Sequence, residues 1–118
     1  AINNKGQIIL AWSSSTTLQQ NGKKVALKAP VGYRNTEGDY AINELGEIVG
    51  SADRLNAADD QRRAILWRDV NGYDLNTLIP TQSDWNLQQA TDINDKGQIV
   101  GIGTYHGKTH AFLLTPRK

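Results

Sequence analysis

The chain has 118 residues and a mass of 13.0 kDa, with 38% hydrophobic and 21% charged residues, the composition of one small globular domain and not of a disordered polymer. A net charge of +1 provides no electrostatic footprint for nucleic acid or an anionic membrane, and no apolar run approaches the ~18 residues of a membrane span. The lack of Cys excludes disulfides and thiolate chemistry, and the lack of Met even at position 1 implies a processed chain or a piece of something longer.

Along the chain one segment recurs three times. It reads Ala1-Ile2-Asn3-Asn4-Lys5-Gly6-Gln7-Ile8-Ile9-Leu10, then Ala41-Ile42-Asn43-Glu44-Leu45-Gly46-Glu47-Ile48-Val49-Gly50, then Asp92-Ile93-Asn94-Asp95-Lys96-Gly97-Gln98-Ile99-Val100-Gly101. The shared pattern is Ile-Asn-x-x-Gly-(Gln or Glu)-Ile-(Ile or Val). Apolar runs follow at Val25-Ala26-Leu27, Ala64-Ile65-Leu66-Trp67 and Ala111-Phe112-Leu113-Leu114, which begin 17, 16 and 12 residues after Ile8, Ile48 and Ile99. Constant elements joined by loops of variable length are the mark of fixed strands and tolerant turns.

Each copy reads as a set of short strands. Asn-x-x-Gly is a turn, because Asn can cap its own backbone and Gly can take positive φ. It joins a first strand (Asp39 to Ile42, or Gln88 to Ile93) to a second (Glu47 to Ala52, or Gln98 to Thr104). The later apolar run is a third strand. In the middle copy Asn71-Gly72 is read as a hairpin turn into a fourth strand, Tyr73 to Leu78. Continuous Ile-Val-Gly runs suit strands covered on both faces. Asp53 to Arg63, with Asp59 and Arg63 at i,i+4, is either a helical turn or a polar loop. Four antiparallel strands per ~40 residues predict an all-β fold of propeller-like blades, about three in this chain. One β-repeat domain is expected over 1–118, with repeats at about 1–36, 37–80 and 81–118.

The run Ile-Asn-x-x-Gly-Gln-Ile-Val-Gly, followed by His110-Ala111-Phe112-Leu113, resembles the bacterial extracellular HAF repeat. The His-Ala-Phe triplet occurs once; the other copies have Arg63-Ala64-Ile65 and Lys24-Val25-Ala26. Asp74-Leu75-Asn76-Thr77-Leu78-Ile79-Pro80 is similar to the segment that precedes the last repeat in such proteins. The resemblance covers most of the chain and is weakest over 13–35. It implies an exported bacterial protein, extracellular or at the cell surface with the periplasm as the alternative, and it implies no reaction.

Chemical motifs are sparse. His106 and His110 flank Gly107-Lys108-Thr109 in a hairpin loop, where structural or exposed histidines are expected and not a metal pair. Gly107-Lys108-Thr109 has Ile102 where a phosphate-binding loop needs Gly. Asp92 to Gly97 departs from a calcium loop at Lys96, and Asp69 to Asp74 is oxygen-rich but reads as a turn. The carboxylates Glu37, Asp39, Glu44, Asp53, Asp59 and Asp60 occupy positions that differ between copies, which leaves no acid–base pair. No nucleophile elbow appears.

Seven Trp and Tyr residues remain. Their rings have an apolar body and a hydrogen-bonding tip, suited to sugar and protein surfaces alike. Trp67, inside a strand, is expected in the core. Trp12, Trp85 (placed in a loop) and Tyr105 are the candidate ligand-binding residues. The expected function is a non-enzymatic extracellular structural or interaction module with no cofactor and no metal; a carbohydrate-binding lectin is the alternative. The expected partner is a head-to-tail copy of the chain itself or the rest of a longer parent chain, with glycan as the alternative ligand.

Overall fold

A computed structural model describes residues 1–11, 16–35, 40–55, 62–80 and 83–116. The fold is all-β and antiparallel, in three sheets. The first contains β1 (Ile8–Ala11), β2 (Thr16–Gln20) and β3 (Lys23–Ala26) in that order. The second contains β4 (Tyr33–Asn35), β6 (Ile48–Arg54), β7 (Arg62–Arg68) and β8 (Asn71–Asp74), with β5 (Ala41–Ile42) also paired to β6. The third contains β9 (Trp85–Ile93), β10 (Ile99–Tyr105) and β11 (Lys108–Leu114).

The recurrent signature builds the same local structure each time. Ile2 pairs with Ile8, Ile42 with Ile48 and Ile93 with Ile99, all across the Asn-x-x-Gly turn. Gly6, Gly46 and Gly97 close that turn at φ of 77, 82 and 79°, a region that a side chain with a Cβ resists.

Successive side chains of a strand face opposite ways, and β6 uses both faces. Ile48 joins Ile65 and Trp67 against Ile9 of the first sheet and Leu27, the residue after β3. Its neighbour Val49 joins Ala64, Leu66 and Leu75 against Leu87, Ala90, Ile99 and Phe112 of the third. The middle sheet is therefore covered on both sides, as its Ile48-Val49-Gly50 run predicts; the same run in the third copy is covered on one face only, with Val100 exposed. Trp67 is fully buried, and its indole Nε1 donates to Lys28 O at 3.1 Å.

Several sequence expectations change. In the first copy the strand beside β1 is β2, not Val25-Ala26-Leu27; Val25 lies one strand further out, paired with Leu18. Apolar content is the misleading signal. β2 holds a single aliphatic residue, Leu18, whereas the Asn21-Gly22 hairpin turn (φ 54 and 77°) marks the strand order correctly. In the middle copy the turn is Asp69-Val70, both left-handed at φ 51 and 65°. Asn71 and Gly72 already pair within β8, where a Cβ on Gly72 would sit 2.8 Å from the Trp67 indole nitrogen. The fourth strand therefore ends at Asp74, and Leu75–Thr77 form a 3-10 turn.

The first strand of the second sheet is split. β4 pairs with Ala52–Arg54, so Tyr33–Asn35 belong to the second sheet and not the first copy; β5 pairs with Ile48 and Val49, and Asp39 lies outside the described residues. Between Asp53 and Arg63, Asp53–Arg54 continue β6 and Arg62–Arg63 begin β7. The remainder, 56–61 with Asp59, lies outside the described residues.

Candidate functional site

The three Asn-x-x-Gly turns lie side by side and bond to one another. Within each turn the Asn Oδ1 accepts two backbone N–H groups: Lys5 and Gln7 on Asn3, Leu45 and Glu47 on Asn43, Lys96 and Gln98 on Asn94, all at 2.9–3.1 Å. The Asn Nδ2 donates to the following Gln or Glu side chain, at 2.6, 2.9 and 2.8 Å. These bonds hold the amide so that its second N–H points along the row. Asn3 Nδ2 donates to Asn43 O at 2.9 Å, and Asn43 Nδ2 donates to Asn94 O at 3.0 Å. A parallel rail runs beside it: Asn4 N–H donates to Glu44 Oε1 and Glu44 N–H to Asp95 Oδ1, both at 2.8 Å. Asn3 and Asn43 are buried by the turn that follows them, whereas Asn94 is exposed. Sequence reasoning places the Asn in a turn and misses its bond to the next copy, although an Asn at the same place in every copy is the available signal.

The predicted ligand-binding residues meet in part. Trp85 is the first residue of β9 and not a loop residue, because it pairs in register with Tyr105 of β10. Their rings lie 5.1 Å apart and tilted by 36°. His110 and Phe112 approach the Trp85 ring edge-on at 6.2 and 6.4 Å. Phe112 is buried, Trp85 half-buried, and Tyr105 and His110 exposed, so the cluster runs from the core to the surface. His106 and Gly107 form the β10–β11 turn, and His106 Nε2 lies 3.7 Å from Asp84 Oδ2. Trp12 lies outside the described residues.

The Asp74 to Pro80 segment clamps the second sheet to the third. Asp74 is buried, and its Oδ1 accepts Asn76 N–H and Nδ2–H at 2.9 Å each. Asn76 then brackets one residue of β9: its Oδ1 accepts Leu87 N–H at 2.7 Å and its Nδ2 donates to Leu87 O at 2.8 Å. Tyr33 donates its hydroxyl to Asp74 Oδ2 at 2.6 Å. Burial, reinforced by that bond, raises the Tyr33 phenol above its ordinary pKa. In the Asp92 to Gly97 segment, Asn94 Oδ1 holds two backbone N–H groups and Asp95 Oδ1 holds Glu44 N–H. Among the described residues no three His, Asp or Glu side chains group as a metal site. A cleft of about 560 Å³ opens between the second and third sheets, lined mainly by Leu66, Leu75, Ile79, Ile99, Leu114 and Pro116. None of the sequence-predicted site residues lines it. Comparison with known proteins finds no family model, no curated protein and no solved structure that matches the chain.

Proposed function

We propose that the chain is a non-enzymatic extracellular structural or interaction module, built from HAF-type repeats that stack as propeller-like blades. The observation that carries this is the asparagine row. One amide hydrogen each of Asn3 and Asn43 goes to a copy-to-copy bond, Asn3 to Asn43 to Asn94, with apolar layers beneath. Such units cannot bury their faces alone and gain stability from their neighbours. The partner on this reading is a further sheet of the same kind, from the chain itself head to tail or from a longer parent chain. Export from a bacterium is the location that the HAF resemblance implies. The Trp85–Tyr105 pair favours a second reading, a lectin-like surface in which a sugar packs on the exposed Tyr105 ring beside His110. A glycan array separates the two. A blank array is expected of the structural module, and binding to one glycan family, lost in Tyr105→Ala, replaces it with the lectin.

A further inference from the structure

The row of turns has two unlike ends. Asn94 Nδ2 uses one hydrogen on Gln98, and the second, which in Asn3 and Asn43 reaches the next turn, meets no partner among the described residues. The Asp95 N–H is likewise unbonded there, where Asn4 and Glu44 N–H each reach a side-chain oxygen. At the other end Asn3 O accepts only Gly6 N–H among the described residues, whereas Asn43 O and Asn94 O each accept a second bond. Asn4 supplies an amide oxygen at the position where Glu44 and Asp95 accept. One chain therefore carries donors at one end and the matching acceptors at the other.

The sheet faces repeat this pattern. Val49 and Leu66 are 0% and 5% exposed because the third sheet covers them. Their register equivalents in the third sheet, the paired Val100 and Leu113, are 42% and 60% exposed, with Ile102 beside them at 44%. Alternation in β10 and β11 turns these three away from the buried Ile99 and Phe112. The outer face of the first sheet, opposite Ile9 and Leu27, presents the half-buried Ile8, Leu10, Thr17 and Gln19. Across β3 the same face continues through Ala26 and Lys24, paired with Thr17 and Gln19, so its one charged group lies at the β3 edge and not beside Ile8 and Leu10.

The geometry points to a second copy of this chain as the occupant of the third sheet's outer face. Val100, Ile102 and Leu113 pack on Ile8 and Leu10 of the neighbour, Asn94 Nδ2 donates to the neighbour's main chain at Asn3, and Asp95 N–H donates to the neighbour's Asn4 side chain. This deepens the stacking module proposed above and depends on it. The contact is heterologous, so two copies that meet twice close a ring of six sheets, within the range of about four to eight at which propellers close.

Native mass spectrometry and sedimentation on the purified chain across the micromolar range test it. The wild type is expected as a two-chain species. Leu113→Asp and Ile102→Lys, on the third sheet, and Thr17→Arg, on the first, each weaken association at least tenfold while circular dichroism stays β. Mixing Leu113→Asp with Thr17→Arg restores a two-chain species, because each variant keeps one good face of opposite kind. A monomeric wild type overturns the inference, and so does a mixture that stays monomeric; a face-to-face contact, in which the variants of only one of the two faces dissociate, overturns it as well. Asn43→Ala separates the two levels. If it destabilises the fold while the wild type is monomeric, stacking within the chain stands and the second copy falls; if it is neutral, the stacking module itself falls.

Discussion

Asn43→Ala and Asn94→Ala remove the same local bonds, but only Asn43→Ala also removes a long-range one. Each loses two N–H acceptor contacts at Oδ1 and one amide bond to the following side chain. Asn43 also loses its 3.0 Å bond to Asn94 O, and it is 4% exposed while Asn94 is open to water. At Asn94 the freed N–H groups are rehydrated, which limits the cost to about 1 kcal/mol. At Asn43 the buried amide also gives up its bond to Asn94 O, and breaking a buried hydrogen bond costs about 1–3 kcal/mol, so the total is about 3 kcal/mol. Urea denaturation measures both, at a protein concentration low enough to suppress self-association. The expected result is a midpoint shift for Asn43→Ala at least twice that for Asn94→Ala, with the slope unchanged. Equal shifts would mean that the copy-to-copy bond adds nothing and that the turns act independently.

Tyr33→Phe should cost about 1 kcal/mol at neutral pH through the bond to Asp74. Because the folded-state Tyr33 pKa is raised, the folded protein holds the phenolic proton longer. Its contribution is complete below the unfolded value of about 10 and is lost as pH rises through the folded value. Melting temperatures should therefore fall more steeply above pH ~10 in the wild type than in Tyr33→Phe, and parallel curves would sink the assignment. Asn76→Ala leaves Leu87 N–H and O without partners at the sheet junction and should cost about 2 kcal/mol; a thermal melt unchanged from wild type would refute the clamp. Gly97→Val forces a β-branched residue to φ 79° with Pro116 Cγ 3.0 Å from the new Cβ, and should cost more than about 1 kcal/mol. Circular dichroism that matches the wild type, with an unshifted melt, counts against that turn geometry.

Period and spacing make the strands legible, because the repeat alone aligns the segments that become β1, β6 and β10. Strand identity fails where apolar content misleads. Thr16–Gln20 is polar yet occupies the place of β7, since an end sheet needs only one buried face. The Asp69-Val70 turn is hidden for a different reason. Val is a poor residue for φ 65°, and the stronger Asn-Gly signal lies two residues later, where Gly72 is needed to pass beneath Trp67. Of the candidate site, the Trp85–Tyr105 contact is half legible. Both residues stand out as amphipathic rings, but their pairing depends on the β9–β10 register, which shifts twice at bulges and cannot be counted from sequence spacing. The bond from each Asn to the next turn joins residues 40 and 51 positions apart, beyond the reach of any local pattern.

The double covering of the middle sheet also sets how the molecule comes apart. Interior strands β6 and β7 lie between two apolar layers, while β1–β3 and β10–β11 each have one outer face in contact with solvent. With stability a sum of nearest-neighbour terms, opening of a single chain, at concentrations that suppress self-association, should start at the terminal sheets and reach the centre last. Amide exchange would then follow position in the stack more closely than hydrogen-bond length. The slowest protons would lie at Val49, Ile65 and Leu66, and the terminal sheets would exchange at rates set by how firmly each is coupled to its neighbour.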